Sequence, residues 1–284
     1  MNIGKFAVEQ LSEGFFELFE DGTFKKMNPA RIQHADEDPT LGKYSSALGI
    51  DPLLISDGEV NIVVDPGLGW GLDHRSGYHD TSNVVTNLNI FGLRPQDIEH
   101  VVLSHLHFDH AAGSTYVSDS LKTTATFPNA TYYVHQDEWD FALSRIDGNK
   151  ESIGADYQLD ELYKLIAENR VKFLQTDLYE LIPGITIMKT GGHTNGHTVL
   201  KIEDGDHFAY YMGDLIPTEY HLNHYSLKQI DSDTIQAKKA KTILLRQAFK
   251  ENATLLFYHS LFKKAGKLSV DKHKNYVIIE SKQQ

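Results

Sequence analysis

The sequence predicts a protein of the α/β (α+β) class, because short apolar runs typical of strands alternate with amphipathic runs of helical length. Strands that lead into polar loops occur before residue 115 and again after residue 185. The length of 284 residues suits one large α/β domain. We therefore expect a single domain over residues 1–284, with several strand ends and their loops around one cleft.

The first half of the chain predicts strands and a long loop. Residues 47–55 and 60–64 are apolar runs joined by an Asp-Gly turn, which is a β-hairpin signal. The glycine- and aromatic-rich stretch 67–86 predicts a loop, and long loops in compact domains are commonly functional. The apolar strand 101–103 leads directly into a histidine cluster.

The second half predicts two helices, then strands that each end near His, Asp or Gly, and then a third helix. The helices are 136–146, 159–169 and a segment capped by Asp233 that runs to about 250, and the strands are 185–188, 198–202, 208–212 and 254–258. The basic residues of the third helix, Lys241 among them, are predicted to lie on its outer side. A solvated helix face explains them better than a nucleic-acid patch.

Composition excludes several function classes. The formal net charge of −12 argues against a protein that binds phosphate backbones, which requires clustered Lys and Arg. The chain has no cysteine, so disulfides, thiolate nucleophiles and Cys-ligated zinc are excluded. The N-terminal residues do not resemble a secretory signal, and no apolar run approaches bilayer length. We expect a soluble, cytoplasmic protein.

The strongest motif is Ser-His-Leu-His-Phe-Asp-His at residues 104–110, directly after a predicted strand. In a tight loop, alternate side chains can point the same way, so His105 and His107 suit one metal ion while Asp109 and His110 turn toward a second. A polar loop with capping residues is the alternative. Four potential ligands within six residues argue against it.

Three later segments place further metal-binding side chains at strand ends. They are 191–197, which contains His193 and His197, then Asp214, and finally His259 near the end of the chain. Taken singly, Asp214 is as typical of a turn, and His259 of a buried core histidine. Their shared placement after strands, in this order, favours one metal site.

These motifs, HxHxDH at 105–110, GHTxGH at 192–197, Gly-Asp at 213–214 and the late His259, resemble the metallo-β-lactamase superfamily over roughly residues 45–265. The resemblance implies an αββα sandwich. In that fold two mixed sheets pack face to face between outer helices, and the metal site lies at one edge.

The resemblance also implies two sets of metal ligands that share one bridging carboxylate. They are His105, His107 and His193 for one ion, Asp109, His110 and His259 for the other, and Asp214 as the bridge. Asp65 matches a carboxylate that orients a ligating histidine, and His197 matches a position that is usually not a ligand. We expect two divalent ions, with zinc as the default for His and carboxylate ligands and Mn, Fe or Co admissible.

Such a site predicts hydrolysis, because paired cations lower the pKa of a shared solvent molecule and polarise the scissile bond. Asp109 is the predicted catalytic residue, placed to pass a proton to the leaving group. A non-catalytic metal-binding regulatory protein is the alternative from another class. All seven expected ligand positions are filled, which argues against a degenerate site.

Within the superfamily, the bridging Asp214 resembles lactonases, glyoxalase II, phosphodiesterases and methyl parathion hydrolase more than true β-lactamases. Residues 213–218 resemble the N-acyl-homoserine lactonase and organophosphate hydrolase branch, whose members include quorum-quenching enzymes. One departure is Pro217, where a lactonase of that branch has a carbonyl-assisting tyrosine three residues after the bridging aspartate. Residues that could substitute are Tyr220, His221 and His224.

The predicted long loop contributes Trp70 and Tyr78, which could line an apolar pocket or simply anchor the loop. A pocket would favour a lactone or related ester over a highly charged substrate. A glyoxalase II-like thioesterase and an organophosphate or phosphodiester hydrolase remain the alternatives. The expected partner is a small molecule, with no nucleic acid or membrane partner, and the resemblance is compatible with a homodimer.

Overall fold

The computed structural model describes residues 1–19, 23–27, 45–73, 81–146, 157, 159–160, 162–223 and 230–279. Within these residues the strands are β1 (Asn2–Ile3), β2 (Phe6–Gln10), β3 (Gly14–Phe19), β4 (Phe24–Lys26), β5 (Ser45–Ile50), β6 (Leu53–Ser56), β7 (Asn61–Val64), β8 (His100–Val102), β9 (Thr115–Val117), β10 (Thr123–Ala125), β11 (Thr131–His135), β12 (Val171–Leu174), β13 (Leu178–Ile182), β14 (Ile185–Lys189), β15 (Thr198–Asp204), β16 (His207–Tyr211), β17 (Thr254–Leu256), β18 (Ala265–Val270) and β19 (Tyr276–Ile279). The α-helices are α1 (Val84–Ile90), α2 (Phe108–Ala111), α3 (Gln136–Ile146), α4 (Leu162–Ala167) and α5 (Thr234–Lys250).

Two large mixed sheets dominate the described residues. The first has the strand order β1-β2-β6-β7-β8-β11-β12 and the second β13-β14-β15-β16-β17-β18-β19. Parallel pairing joins β7, β8, β11 and β12 in the first sheet and β16 with β17 in the second. Two smaller sheets, β4-β3-β5 and β9-β10, complete the topology.

Residue alternation along the strands divides the apolar side chains into layers, because successive side chains point to opposite faces of a sheet. In the first sheet Ile62 and Val64 belong to the cluster between the two sheets. Val63, between them, packs instead with residues of α1, α3 and α4. The first sheet is therefore buried on both faces, with helices on its outer side.

The second sheet repeats this arrangement. Leu200 and Tyr211 face the cluster between the sheets, whereas Val199 and Tyr210 pack with α5. Each fully buried large apolar side chain contributes about 1.5–3 kcal/mol relative to an exposed one. The layer order is helix, sheet, sheet, helix, which confirms the predicted αββα sandwich.

Several predicted boundaries are wrong. The single strand predicted at 47–55 is two strands, β5 and β6, which lie in different sheets, because Pro52 has no amide hydrogen to continue a ladder. The predicted loop 67–86 ends earlier, since Asn83 caps α1 and its side chain accepts from the Val85 and Thr86 amides. The predicted helix 159–169 is confined to α4.

The predicted solvent exposure of Lys241 is also wrong. We predicted an exposed basic face for α5, yet the Lys241 side chain is 0% exposed. The reason is helical periodicity: position 241 lies four residues after Ala237 and three before Leu244, on the buried stripe. Burial lowers the pKa of Lys241 to about 8, against an opposing effect of Asp231. The predicted cap is confirmed, because Asp233 accepts from the amides of Ile235 and Gln236.

Among the described residues, no helix has both the length and the apolarity needed to cross a bilayer.

Candidate metal centre

Strand direction brings the predicted site residues to one edge of the sandwich. In the first sheet β7 and β8 are adjacent and parallel, so Asp65, after β7, and the 105–110 motif, after β8, emerge side by side. In the second sheet β16 and β17 are parallel neighbours, which places Asp214 and His259 together. β15 runs antiparallel to β16, so His193, just before β15, lies at the same edge.

All seven predicted ligands lie in two groups of converging donor atoms. In each group the donor atoms are within 4.8 Å of one another, and the groups are His105, His107, His193 and Asp214, and Asp109, His110 and His259. Asp65 also converges on His105 and His110. Imidazole and carboxylate donors without sulfur suit divalent metal ions.

The imidazole nitrogens face one another at short range. His107 Nδ1 lies 3.0 Å from His105 Nε2 and 3.1 Å from His193 Nε2. In the second group, His110 Nε2 lies 3.2 Å from His259 Nε2. Such convergence of ring nitrogens in a buried site is the arrangement that a metal ion requires of neutral histidines.

Asp214 lies between the two groups and offers one oxygen to each. Its Oδ1 is 3.3 Å from His110 Nε2 and 3.2 Å from His259 Nε2. Its Oδ2 is 3.5 Å from His193 Nε2 and 4.0 Å from His105 Nε2. Although Oδ1 is buried, it makes no hydrogen bond of good geometry. A carboxylate placed in this way fits a bridge between two cations.

Electrostatics separate the two groups. Burial, reinforced by neighbouring imidazoles, holds the pKa of His105 and His107 well below its usual range, so both are neutral. Burial also opposes charge on His110, but the carboxylates of Asp214 and Asp109 outweigh it and hold the His110 pKa well above its usual range. The second group therefore favours a positive charge, which either a proton or a metal ion can supply.

Both carboxylate oxygens of Asp65 make hydrogen bonds next to the metal-ligand cluster. Its Oδ1 accepts from the Ser104 amide at 2.7 Å, and its Oδ2 accepts from the Ser104 and Tyr211 hydroxyls, each at 2.5 Å. The same Oδ2 lies 2.9 Å from His110 Nδ1. This contact directs His110 Nε2 toward the cluster, the geometry expected of the predicted orienting carboxylate.

His197 and His259 are each fixed by protein contacts. His197 uses both ring nitrogens, since Nδ1 bonds the Thr190 hydroxyl at 2.8 Å and Nε2 accepts from the Asp214 amide at 3.1 Å. It therefore supports the backbone of Asp214 and has no nitrogen left for a metal. His259 Nδ1 donates to the Gly49 carbonyl at 2.8 Å, which leaves Nε2 facing the cluster.

The partly exposed side chains of Phe24, Trp70 and Phe108 form an aromatic surface that includes a residue of the 105–110 motif. Trp70 is half-buried and packs edge-on against Phe16, with ring centroids 5.4 Å apart. Phe108, within the motif itself, packs with the same apolar cluster. The predicted pocket role of Trp70 stays a prediction. Two other predicted residues lie outside the described residues, namely Tyr78 and His224.

The segment after Asp214 borders the cluster through its backbone. The Pro217 carbonyl accepts from the His259 amide at 3.0 Å. On the following turn, His221 Nδ1 bonds the Thr218 hydroxyl at 2.7 Å, and the Tyr220 side chain is 67% exposed. A role for Tyr220 or His221 in the substrate pocket stays a prediction.

Sequence reasoning missed Glu138, a buried residue of α3 that joins two ligand-bearing loops. Its Oε1 accepts from the Leu106 amide at 2.9 Å, and its Oε2 accepts from the Thr194 hydroxyl at 2.5 Å and the Gly196 amide at 3.2 Å. Burial raises the pKa of Glu138 to about 7. The sequence signal was weak, because an acidic residue in a first helical turn is usually a solvated dipole partner.

Glu13 is a second missed carboxyl group, and it anchors the loop that carries Trp70. It is 1% exposed and accepts from the amides of Leu68 at 2.8 Å and Gly69 at 3.3 Å. Burial raises the pKa of Glu13 from 4.5 to about 8. Between these two values the folded protein holds a proton that the unfolded chain releases, so this group makes stability fall as pH rises.

Replacement of Glu13 by Gln is therefore expected to flatten that part of the pH dependence. From about pH 5 to about pH 8 the variant should gain about 3 kcal/mol of unfolding free energy relative to the wild type, because Gln keeps an acceptor oxygen and cannot ionise. Urea unfolding of both proteins at the two pH values measures this difference. An equal difference at both values would contradict the raised pKa.

Known proteins resemble this chain in sequence and in fold. A family profile described as the metallo-beta-lactamase superfamily matches residues 47–259. Over 124 residues the chain is 31% identical to N-acyl homoserine lactonase AiiA of Bacillus thuringiensis subsp. kurstaki. That match covers 44% of this chain and 40% of AiiA, so the chain spans about two fifths of the length of this curated relative.

Two solved structures align over nearly the whole chain. One is a probable metal-dependent hydrolase from Staphylococcus aureus, with 27% identity, a TM-score of 0.74 and coverage of 99% of each chain. The other is AidC, a dizinc quorum-quenching lactonase in complex with a homoserine product, with 23% identity, a TM-score of 0.73 and coverage of 100% of this chain and 97% of AidC. At this level of identity AidC establishes a shared fold.

Proposed function

Because the chain belongs to the metallo-beta-lactamase superfamily, we propose that it is a dinuclear metal-dependent hydrolase that opens a lactone of the N-acyl-homoserine lactone kind or a related ester. The observation that carries this proposal is the Asp214 carboxylate, which directs one oxygen to each of the two donor groups. The similarity to a named N-acyl homoserine lactonase supports the substrate class.

The proposed ligands are the seven residues in their two groups, with Asp214 as the bridge. We propose zinc for both ions, because His and carboxylate donors suit it, while Mn, Fe and Co fit the same donors. Two divalent ions bound there would polarise the scissile carbonyl and lower the pKa of a shared water toward neutrality. Asp65, through His110, would hold one ligand in orientation.

Asp109 is the proposed proton-transfer residue. Its Oδ2 lies 3.5 Å from His259 Nε2 and 3.9 Å from His110 Nε2, and the residue is only 9% exposed. A water oxygen forms the new bond to the lactone carbonyl carbon, and the ring C–O bond breaks. Asp109 takes a proton from that water and delivers it to the departing ring oxygen, so the product is a hydroxy acid.

The aromatic surface supports an amphiphilic substrate. Trp70 packs on Phe16, and Phe108 packs edge-on against Phe24 with ring centroids 5.0 Å apart. Phe108 directly precedes Asp109 in the chain, so an acyl chain bound against this surface would have its polar head near the proposed catalytic carboxylate. Since Pro217 replaces the tyrosine of the related branch, we propose that Tyr220 or His221 assists the substrate carbonyl.

The test is hydrolysis of a substrate panel by zinc-loaded protein. The panel is a long-chain N-acyl-homoserine lactone, an aryl ester, paraoxon and S-lactoylglutathione, with an EDTA-treated control. We expect the lactone to be preferred and its hydrolysis to be lost with EDTA. Turnover of S-lactoylglutathione alone would support the thioesterase alternative, and turnover of paraoxon alone the organophosphate alternative. If two ions bind and nothing is hydrolysed, the substrate class is wrong.

Asp109→Asn is expected to reduce kcat for the lactone by at least about 10²-fold, since general acid–base catalysis contributes about 10²–10⁴-fold. The metal content of the variant must be measured in parallel, because Asp109 is also a proposed ligand. A variant that keeps both ions and full activity would exclude the proton-transfer role.

A further inference from the structure

His193 differs from two other proposed ligands in how its ring is held. His110 and His259 both have Nδ1 within hydrogen-bond distance of a protein oxygen, at 2.9 and 2.8 Å. The Nδ1 of His193 is buried and makes no hydrogen bond to any residue that the structure describes. The carboxylate oxygen Oδ1 of Asp231 lies 3.6 Å from this nitrogen.

The position of Asp231 is fixed by the backbone that follows it. The Ser232 amide donates to the His193 carbonyl at 2.9 Å, and the Asp233 amide donates to the Gly192 carbonyl at 2.8 Å. The Asp231 side chain itself is only 2% exposed. The separation of 3.6 Å is longer than a hydrogen bond, so the bond requires the two atoms to approach by about 0.5 Å.

Asp231 also interacts electrostatically with a buried lysine of α5. Lys241 is fully buried on α5, and Asp231 is the carboxylate that opposes the lowering of its pKa by burial. The Lys241 ammonium also donates to the His221 carbonyl at 3.5 Å, so the lysine joins α5 to the turn that follows Asp214.

We propose that Asp231 is a positioning residue, whose carboxylate accepts a hydrogen bond from the Nδ1–H of His193 and directs Nε2 toward His105 and His107. Histidines that bind metals commonly donate their second N–H to a carboxylate, which fixes the tautomer and raises ligand basicity. The inference rests on the metal centre proposed above. Asp231 would do for one ion what Asp65 does for the other.

The test compares Asp231→Ala and Asp231→Asn with the matched control Asp233→Ala. Asp233 lies two residues away and caps α5, since its Oδ1 accepts from two amides of the first turn. We expect Asp231→Ala to weaken the affinity for one of the two zinc ions by about 10–100-fold, as measured by chelator competition and metal analysis. Asp231→Asn should give a smaller loss, because its amide oxygen can still accept a hydrogen bond from Nδ1–H. Asp233→Ala should lower the unfolding temperature and keep both affinities.

A second readout is the histidine ring N–H proton in the NMR spectrum of the zinc-loaded protein. We expect one protected ring N–H signal of the wild type to be lost in Asp231→Ala and retained in Asp233→Ala. Wild-type affinity for both ions in Asp231→Ala would overturn the inference, as would an equal loss of affinity in Asp233→Ala. If the wild-type protein bound no zinc, the proposed metal centre would fail together with it.

Discussion

Asp214→Asn is expected to reduce kcat/KM for the lactone by at least about 10³-fold. An asparagine has one acceptor oxygen and no charge, so it cannot offer an anionic oxygen to each donor group as Asp214 does. Lewis-acid stabilisation by a bound ion is worth several kcal/mol, and about 1.4 kcal/mol corresponds to a tenfold change in rate. The variant should also retain fewer than two ions.

Steady-state kinetics with the same lactone and metal analysis after dialysis measure both effects. Asp97→Asn is a suitable control, because the Asp97 carboxylate pairs with Arg94 on the surface and belongs to neither donor group. It should match the wild type in both measurements. An Asp214→Asn protein with two ions and activity within tenfold of the wild type would show that the carboxylate is not a bridge.

The largest expected effect on stability is that of Gly192→Ala. Gly192 has a φ of +95°, and a Cβ at this position would lie 2.5 Å from Ala237 Cα and 2.6 Å from Ala237 N. These atoms belong to the backbone of α5, so the clash cannot be relieved by a side-chain rotation. Overpacking costs about 1–3 kcal/mol and left-handed backbone about 1–2 kcal/mol, so we expect a total loss of about 2–5 kcal/mol.

Gly205→Ala separates the two contributions. Gly205 also has a positive φ, +58°, but no atom of the described residues lies within 4 Å of its added Cβ. This variant should lose only the backbone contribution, about 1–2 kcal/mol. Urea unfolding of both variants and the wild type measures the comparison, and equal losses would mean that α5 moves freely away from Gly192.

The metal ligands could be predicted from sequence because they lie in short segments between a strand end and the next element, with Asp109 and His110 in the short helix α2 that follows β8. A ligand at a strand end is positioned by local chain geometry, which periodicity reveals, as for Asp214 after β16. Glu138 and Asp231 could not be found in this way. Their contacts, to Thr194 and His193, depend on how α3 and the start of α5 dock against distant loops.

Local composition also limits which strands and buried residues can be predicted from the sequence. Strands of the sandwich core are continuous apolar runs, and β7 and β8 were recognised from them. β13 is half-exposed along its length and joins its sheet by pairing with β14, which its own composition does not indicate. Lys241 shows the converse, since its residue type suggested exposure although its helical position required burial.

Each donor group draws on both sheets. His105 and His107 follow the first sheet while His193 precedes a strand of the second, and Asp109 and His110 are likewise completed by His259 from the second. Each bound ion would thus act as a cross-link between the two layers, in a chain that has no cysteine for a covalent one. Ligands that bind only the folded state stabilise it by mass action. The free energy of unfolding of the sandwich would therefore increase with the concentration of available metal ion.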